Sequence, residues 1–468
     1  MLGEPNSLAY IALILWFAVS AAMFAVLRPA AAAAIAVVGG VMFLPERVSF
    51  DFAALPPVNK QLIAPGGAFV GALIFSRRKI ISARVGRGGE ALVLVLAATA
   101  LVTALRNPDP LTYGATHLPA MSLYDGVSLA VRDVLYLGLP FFLGRAFFRT
   151  SRDLQLLIVI MAVAGVFYSL LILYEIRMAP VLHKKIYGFH QHAFIQTLRF
   201  GGYRPMVFMA HGLLVAIFVL VSGLAATGLS RVRRYLVVVP ARLVALYLAF
   251  ILVMCKSLGA LLYGAVLLPL TAFARPSLIM RVVVVLLGLI MAYPALRATD
   301  LFPTEVMLGV ADRIEPKRAE SLRGRFVNEE LLVEKARARI WFGWGAHGRA
   351  RVYDPETGRD LSTTDGYWII QMGSRGIFGF VCAFGLLLYP PLAVNRRLRR
   401  IRSPHDKILL ATLSLVVIVF TTDLLPNAFL TSHHLFLAGA LAGVLPGILR
   451  QQRVARPKPR AEKRLSRS

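Results

Sequence analysis

Residues 153–176 read DLQLLIVIMAVAGVFYSLLILYEI, and the 21 positions from Leu154 to Tyr174 carry no charge. As a helix rising ~1.5 Å per residue this run is ~31 Å long, the thickness of a bilayer's hydrocarbon core. Hydrocarbon offers the backbone no hydrogen-bond partner, so a segment that crosses it must be a helix. Blocks of this kind recur at 8–27, 30–46, 61–76, 90–105, 127–148, 206–229, 235–254, 258–273, 279–296, 366–392, 408–424 and 432–449. The chain therefore reads as an all-α polytopic membrane protein with about 12–13 transmembrane helices. Composition agrees, with 57% of the 468 residues hydrophobic and only 16% charged, well shifted from a soluble domain. Residues 1–296 hold the first ten spans and 297–365 a long loop. Residues 366–449 hold the last three spans, and 450–468 a basic tail.

The net charge of +28 first suggests nucleic acid. The cations lie in short loops between apolar runs, however, and not on a soluble face interleaved with stacking aromatics. A membrane explains them better, and nucleic acid is excluded as a partner. Arg77, Arg78, Lys79, Arg84 and Arg87 follow the third span, and Arg145, Arg149 and Arg152 the fifth. Arg231, Arg233 and Arg234 follow the seventh span, and Arg275 and Arg281 flank the loop after the ninth. Arg396, Arg397, Arg399, Arg400 and Arg402 follow the eleventh, and the tail follows the thirteenth. All come after odd-numbered spans, so they share one side, which the positive-inside rule makes cytoplasmic. Met1–Ser7 carries Glu4 and no Lys or Arg, so the first run is expected to be retained as a span. Cys255 and Cys382 lie in apolar stretches and read as packing residues.

Two segments on the opposite side are basic in spite of the rule. Residues 177–205 hold Arg177, Lys184, Lys185, Arg199 and Arg204, and 297–365 holds eight Lys and Arg between Arg313 and Arg339, among them Arg323 and Arg325. Such cations suit an anionic ligand on that face, or contact with anionic lipid or polysaccharide. Within 326–340, FVNEELLVEKARARI, apolar Leu331, Leu332, Val333 and Ile340 alternate with Glu330, Glu334, Lys335 and Arg339. This predicts an amphipathic helix with i,i+4 charge pairing, lying on the membrane or the bundle.

Ionisable groups inside spans are costly and hence candidate functional groups. Arg132, Asp133, Glu175, His211, Lys256 and Asp423 fall within two or three turns of the outer face, with Arg204 and Asp365 at the outer ends of spans seven and eleven. LRFGGYRPMVFMAHG (198–212) is densest: Arg199 and Arg204 bracket Gly201-Gly202, and Pro205 suits the first turn of span seven. A helix N-terminus beside two guanidiniums would cradle phosphate. His211 lies two turns on, facing the same way, or is a hydrogen-bonded core histidine. Asp365, in STTDGYW, is either a general base for an acceptor hydroxyl or an N-cap. Gly343-Trp-Gly345-Ala-His-Gly348 matches a dinucleotide fingerprint by letters alone. With no strand or βαβ unit around it, tight turns with Trp341 and Trp344 anchored at the interface are the expectation. His183, His190 and His192 lack a carboxylate or cysteine to complete a metal site, so no metal is expected.

Four of these segments together resemble the bacterial O-antigen ligase and Wzy-type polysaccharide polymerase family of membrane glycosyltransferases. They are R-F-G-G-Y-R-P at Arg199–Pro205, K-S-L-G-A at Lys256–Ala260, S-L-R-G-R at Ser321–Arg325 with W-F-G-W-G at Trp341–Gly345, and G-S-R-G-I-F-G-F at Gly373–Phe380. Order and spacing match from about residue 190 to 395. The resemblance implies a GT-C-like fold with a large periplasmic loop between late helices, in the bacterial inner membrane. It implies an undecaprenyl-pyrophosphate-linked oligosaccharide donor, no cofactor or metal, and an active site on the periplasmic face. Membrane lipid, a chain-length regulator and other polysaccharide assembly proteins are the partners it suggests. In this reading Arg199, Arg204 and Arg325 bind the donor diphosphate and Asp365 is the catalytic base, with His211 the next candidate. Arg323, Lys256 and Arg132 are further substrate-binding candidates. Ligases carry His-Asn where this chain has Asp365-Gly366, which favours a polymerase of exopolysaccharide or O-antigen units over a ligase. A transporter or flippase of a lipid-linked anionic sugar is the alternative of another class.

Overall fold

The computed structural model describes residues 3–52, 56–83, 89–199, 201–314 and 316–454. Each apolar run of the sequence falls on a helix. These are α1 (Ser7–Val26), α2 (Pro29–Phe43), α3 (Lys60–Phe75), α4 (Glu90–Leu105), α5 (Leu123–Phe147), α6 (Ser151–Met178), α7 (Gly212–Ser230), α8 (Ala241–Met254), α9 (Leu258–Phe273) and α10 (Pro276–Ala298). After α11 (Thr304–Ile314) and α12 (Pro316–Arg337) come α13 (Tyr367–Arg397), α14 (Pro404–Asp423) and α15 (Ser432–Val454). Among the described residues eight of these are long and apolar enough to cross a membrane: α1, α5, α6, α7, α10, α13, α14 and α15. The apolar α2, α3, α4, α8 and α9 are shorter, and the strands form two-stranded hairpins. The architecture is that of an all-α, multi-pass membrane protein.

Packing sorts the helices by their surroundings. α7 is buried along nearly its whole length, whereas α1 and α10 are buried along only about a quarter of theirs. Ile14, Leu246, Val266, Val285 and Leu289 project outward from such peripheral helices, where water would penalise them and lipid would not. The tightest approach joins the end of α5 to α15. A Cβ on Gly443 would lie 2.5 Å from the carbonyl oxygens of Arg145 and Phe148, and one on Gly439 2.0 Å from that of Phe141. Glycine every fourth residue, continued at Gly447, lets the two backbones touch, which is how helices gain contact where lipid removes the hydrophobic incentive.

Loops after odd-numbered sequence spans meet at one end of the bundle. Arg149 donates to Ser82 at 3.2 Å, Ser151 bonds Asp406, and the Arg402 N–H meets Gln452. Loops after even-numbered spans meet at the other end: Glu46 N–H with His183 (3.1 Å), Gln61 with Ser432 N–H (2.7 Å), and Arg339 with Asp109 (2.9 Å). The helices thus run alternately up and down. Cysteines at exposed Glu356 and His405, on opposite ends, should label differently with an impermeant thiol reagent in intact cells, Glu356→Cys reacting and His405→Cys not. Cys255 and Cys382 are buried and should stay silent. Equal labelling of both variants would overturn the sidedness.

Several local expectations change. The seventh span begins at Gly212 and not near Met206, because Glu175 accepts the N–H groups of Met206 and Val207 (2.8 and 2.7 Å) and Tyr168 that of Phe208 (3.1 Å). Those bonds hold 204–211 out of the helix, so Pro205 does not open it. The eighth span begins at Ala241, since Tyr235–Leu236 and Val239–Pro240 pair as a hairpin. The amphipathic helix runs 316–337, and its charges find tertiary partners instead of one another: Glu330 meets Arg297 (3.4 Å), Lys335 meets the Tyr113 hydroxyl (2.7 Å), and Arg339 lies beyond the helix on Asp109. Trp344 is buried, its ring between Lys335 and Arg339, so it is not an interfacial anchor; Trp341 is exposed. The tail beyond residue 454 lies outside the described residues.

Candidate active site

The end of the bundle formed by loops after even-numbered spans gathers most of the singled-out residues. Leu198–Arg199 pairs with Gly202–Tyr203 as a hairpin, which sets Arg199 exposed near its tip. Arg204 follows directly and is buried. Its stem packs on the start of α7, since a Cβ on Gly212 would lie 2.5 Å from its Cγ and Cδ, and its Nη2 donates to the Lys256 carbonyl at 3.2 Å. Lys256 stands at the tip between α8 and α9 with φ +50°, and its ammonium lies over Gly202. The second and first segments of the resemblance are therefore in direct contact. The phosphate-cradle geometry differs from the expectation in one respect: the N-terminus beside Arg204 is that of a helix starting at Gly212, reached by the side chain and not by continuing the backbone.

His211 is that helix's N-cap, its Nδ1 accepting the Leu213 N–H at 3.1 Å. Nε2 stands 3.3 Å from the Gln196 Oε1, and the ring stacks on Phe429 with centroids 5.4 Å apart. Burial, then the charges of His192, Arg204, Arg199 and Arg325, push its pKa down to about 3, so the imidazole is neutral at physiological pH. A neutral ring that accepts through Nδ1 carries its proton on Nε2, facing Gln196. His211 thus orders the start of α7 among these cations.

Arg325 comes from α12 and Asp365 from the segment entering α13. Arg325 Nε lies 3.8 Å from Asp365 Oδ2, with each side chain little more than a third exposed. The Arg325 charge also reaches Asp423, whose Oδ1 accepts from Asn427 at 2.9 Å. Gly366, not Asp365, is the N-cap position of α13, and no side chain caps it. The capping explanation for Asp365 therefore falls, and its carboxylate faces an arginine in a half-open position. Arg323, two residues from Arg325, points to the opposite side of the helix, where it pairs with Asp312 at 3.6 Å. Arg132 is exposed on α5 beside Asp133, outside these contacts. Asp133 makes a buried pair with Arg375 (2.5 Å) that ties α5 to α13, and Glu175 spends its carboxylate on backbone N–H groups. Both therefore serve architecture.

The two late segments of the resemblance form one structure. α13 kinks at Gly376 (φ +65°, ψ −163°), and the freed backbone bonds the W-F-G-W-G loop: Ile377 N–H to Ile340 O (2.8 Å), Trp344 N–H to Gly373 O (2.8 Å) and Gly345 N–H to Ser374 O (2.9 Å). The loop is fastened from its other side by Asn107, which donates to Gly343 O at 3.1 Å. This brace fastens the chain leaving α12, the helix that carries Arg325, to α13. Any Cβ at 376 would meet Trp341 O at 2.3 Å in a left-handed backbone. Gly376→Ala should therefore lower the melting temperature in detergent, and cost more than a surface Gly→Ala change such as one at Gly259, where nothing lies within 4 Å. An unchanged melting temperature would count against the brace.

Sequence reading missed Arg349 and Arg297. Arg349 is fully buried, donating to Asp109 O and Pro119 O (2.7 and 2.8 Å), and Arg297 is buried against Glu329 (3.3 Å) and Phe326 O (3.0 Å). Both hold the long loop to the bundle, and a buried arginine is not distinguishable in sequence from a ligand-facing one. His183 is buried with Nδ1 2.8 Å from Phe189 O, and among the described residues no group of His, Cys, Asp and Glu could hold a metal. The helices and the site define a multi-pass helical membrane protein with a group of cations and a carboxylate at one end. No family model and no curated protein matches the chain.

Proposed function

We propose that the protein is a polysaccharide polymerase of the bacterial inner membrane, joining undecaprenyl-pyrophosphate-linked oligosaccharide units on the periplasmic face. The observation that carries this reading is the Arg325–Asp365 pair at the same end of the bundle as Arg204, Lys256 and Arg199, where the charges of Arg204, Arg199 and Arg325 all act on His211. A lipid diphosphate is a good leaving group. The work left to the enzyme is to hold its charge and to take a proton from the attacking hydroxyl. In the proposed step the acceptor hydroxyl loses its proton to Asp365 as its oxygen bonds the anomeric carbon. The bond from that carbon to the diphosphate oxygen breaks, and the electron pair leaves with the diphosphate onto the guanidiniums. Arg325 is well placed to exchange Asp365 for the incoming phosphate, which would free the carboxylate as donor binds. All thirteen apolar helices cross the membrane in this reading.

The chemistry of the site needs neither a metal nor a nucleotide sugar, since arginines suffice to hold a diphosphate. The Asp365-Gly366 pair, where the ligases that the chain resembles carry His-Asn, favours polymerisation over transfer to a final acceptor. A strain lacking the gene tests the reading directly. It should retain single repeat units on carrier lipid and make no long polysaccharide. Full-length glycan left on the carrier lipid would instead indicate a ligase, and donor trapped on the cytoplasmic side a flippase.

A further inference from the structure

The opposite end of the bundle holds a cavity of about 1310 Å³ between the ends of α5, α13 and α15. Arg145, Arg149, Arg396, Arg397, Arg400 and Arg450 line it, and among the described residues no acidic side chain does. Of the acidic residues described nearby, Glu90 pairs with the lining residue Arg145, whereas Asp406 bonds Ser151 and Asp153 bonds Thr150. Arg149 sits between helices, and burial, together with the neighbouring charges of Arg145 and Arg450, holds its pKa below the usual guanidinium value. The arginines thus oppose one another across the opening, a cost that an anion between them would relieve.

Part of the lining is apolar, contributed by Leu392, Ala393, Leu445 and Pro446. A free phosphate has no use for such a lining, whereas an amphiphile places its phosphate on the arginines and its chains along the helices. We propose that this cavity binds the headgroup of an anionic phospholipid, in the leaflet that the basic loops face. The glycine contact of α5 with α15 builds the site, because it brings the backbone of Arg145 and Arg149 against Gly443 and Gly447. Lipid in this place would bridge the ends of three helices that belong to early and late parts of the chain.

The test uses the full-length protein in neutral detergent, with bound lipid counted by native mass spectrometry after adding phosphatidylglycerol or phosphatidylcholine. The wild type should retain phosphatidylglycerol in preference. The triple variant Arg397→Gln, Arg400→Gln, Arg450→Gln, all exposed positions, should weaken that retention roughly tenfold or more. Arg77→Gln, Arg78→Gln, exposed at the same end but outside the cavity, should leave it unchanged. Equal retention of the neutral lipid, or an equal loss in both variants, would overturn a specific site. Displacement of the lipid by millimolar inorganic phosphate would assign the cavity to a free anion and overturn the lipid. None of these readouts depends on glycan synthesis, so the result stands apart from the proposed polymerase activity.

Discussion

Replacing Asp365 by Asn is expected to slow polymer formation by about 10²–10⁴ while leaving the protein in the membrane at normal levels. Asn keeps the size and one acceptor oxygen but cannot take a proton from a sugar hydroxyl. The structural cost should be small. Asp365 caps no helix, and its pairing with Arg325 is long and more than a third exposed, so its loss removes little stability. Asp365→Glu should recover part of the activity, since the carboxylate remains one methylene further out. The measurement is polysaccharide length in a deletion strain complemented by each variant, with protein level followed by immunoblot. Full-length polymer from the Asn variant would remove Asp365 from the chemistry. Because no cap role remains to explain the residue, only the pairing with Arg325 would then be left to it.

Arg204→Lys is expected to cost about 10² or more in rate although the charge is kept. The guanidinium donates to the Lys256 carbonyl from a buried position while its stem lies against Gly212. A lysine has one compact ammonium in place of the fork, so it cannot both hold that carbonyl and face a diphosphate. Because Arg204 also supports the turn at Lys256, the melting temperature must be followed beside activity. A fall in rate at an unchanged melting temperature is the result that assigns Arg204 to the substrate. Arg325→Lys provides the second arm: Arg325 is partly exposed and its ion pair among the described residues is long, so the variant should lose activity with little loss of stability. Near-wild-type polymer from both variants would sink the diphosphate role.

The apolar runs were legible because lipid leaves a chain one way to satisfy its backbone, and every run became a helix. The common end of the short basic loops after odd spans was legible too, since those loops converge in the fold. Helix starts were less so. The seventh begins late because Glu175, an in-span carboxylate that reads as functional, is spent on the N–H groups of Met206 and Val207, 31 and 32 residues away. The charges of 326–340 suggested local pairing, yet Arg297, Tyr113 and Asp109 from distant segments took them.

By its own sequence the chain determined that it is helical and multi-pass, which end is basic, and that Arg199, Arg204, Lys256 and Arg325 are cations out of place on the other end. Hydropathy and charge act locally and need no knowledge of neighbours. Only the tertiary structure decided which of those cations meet a carboxylate, that Asp365 faces Arg325 while Arg323 faces away, and that the Trp-rich loop fills the kink at Gly376. Those outcomes rest on contacts between residues far apart in sequence, and on which face of a helix is turned inward. Spacing along the chain records neither.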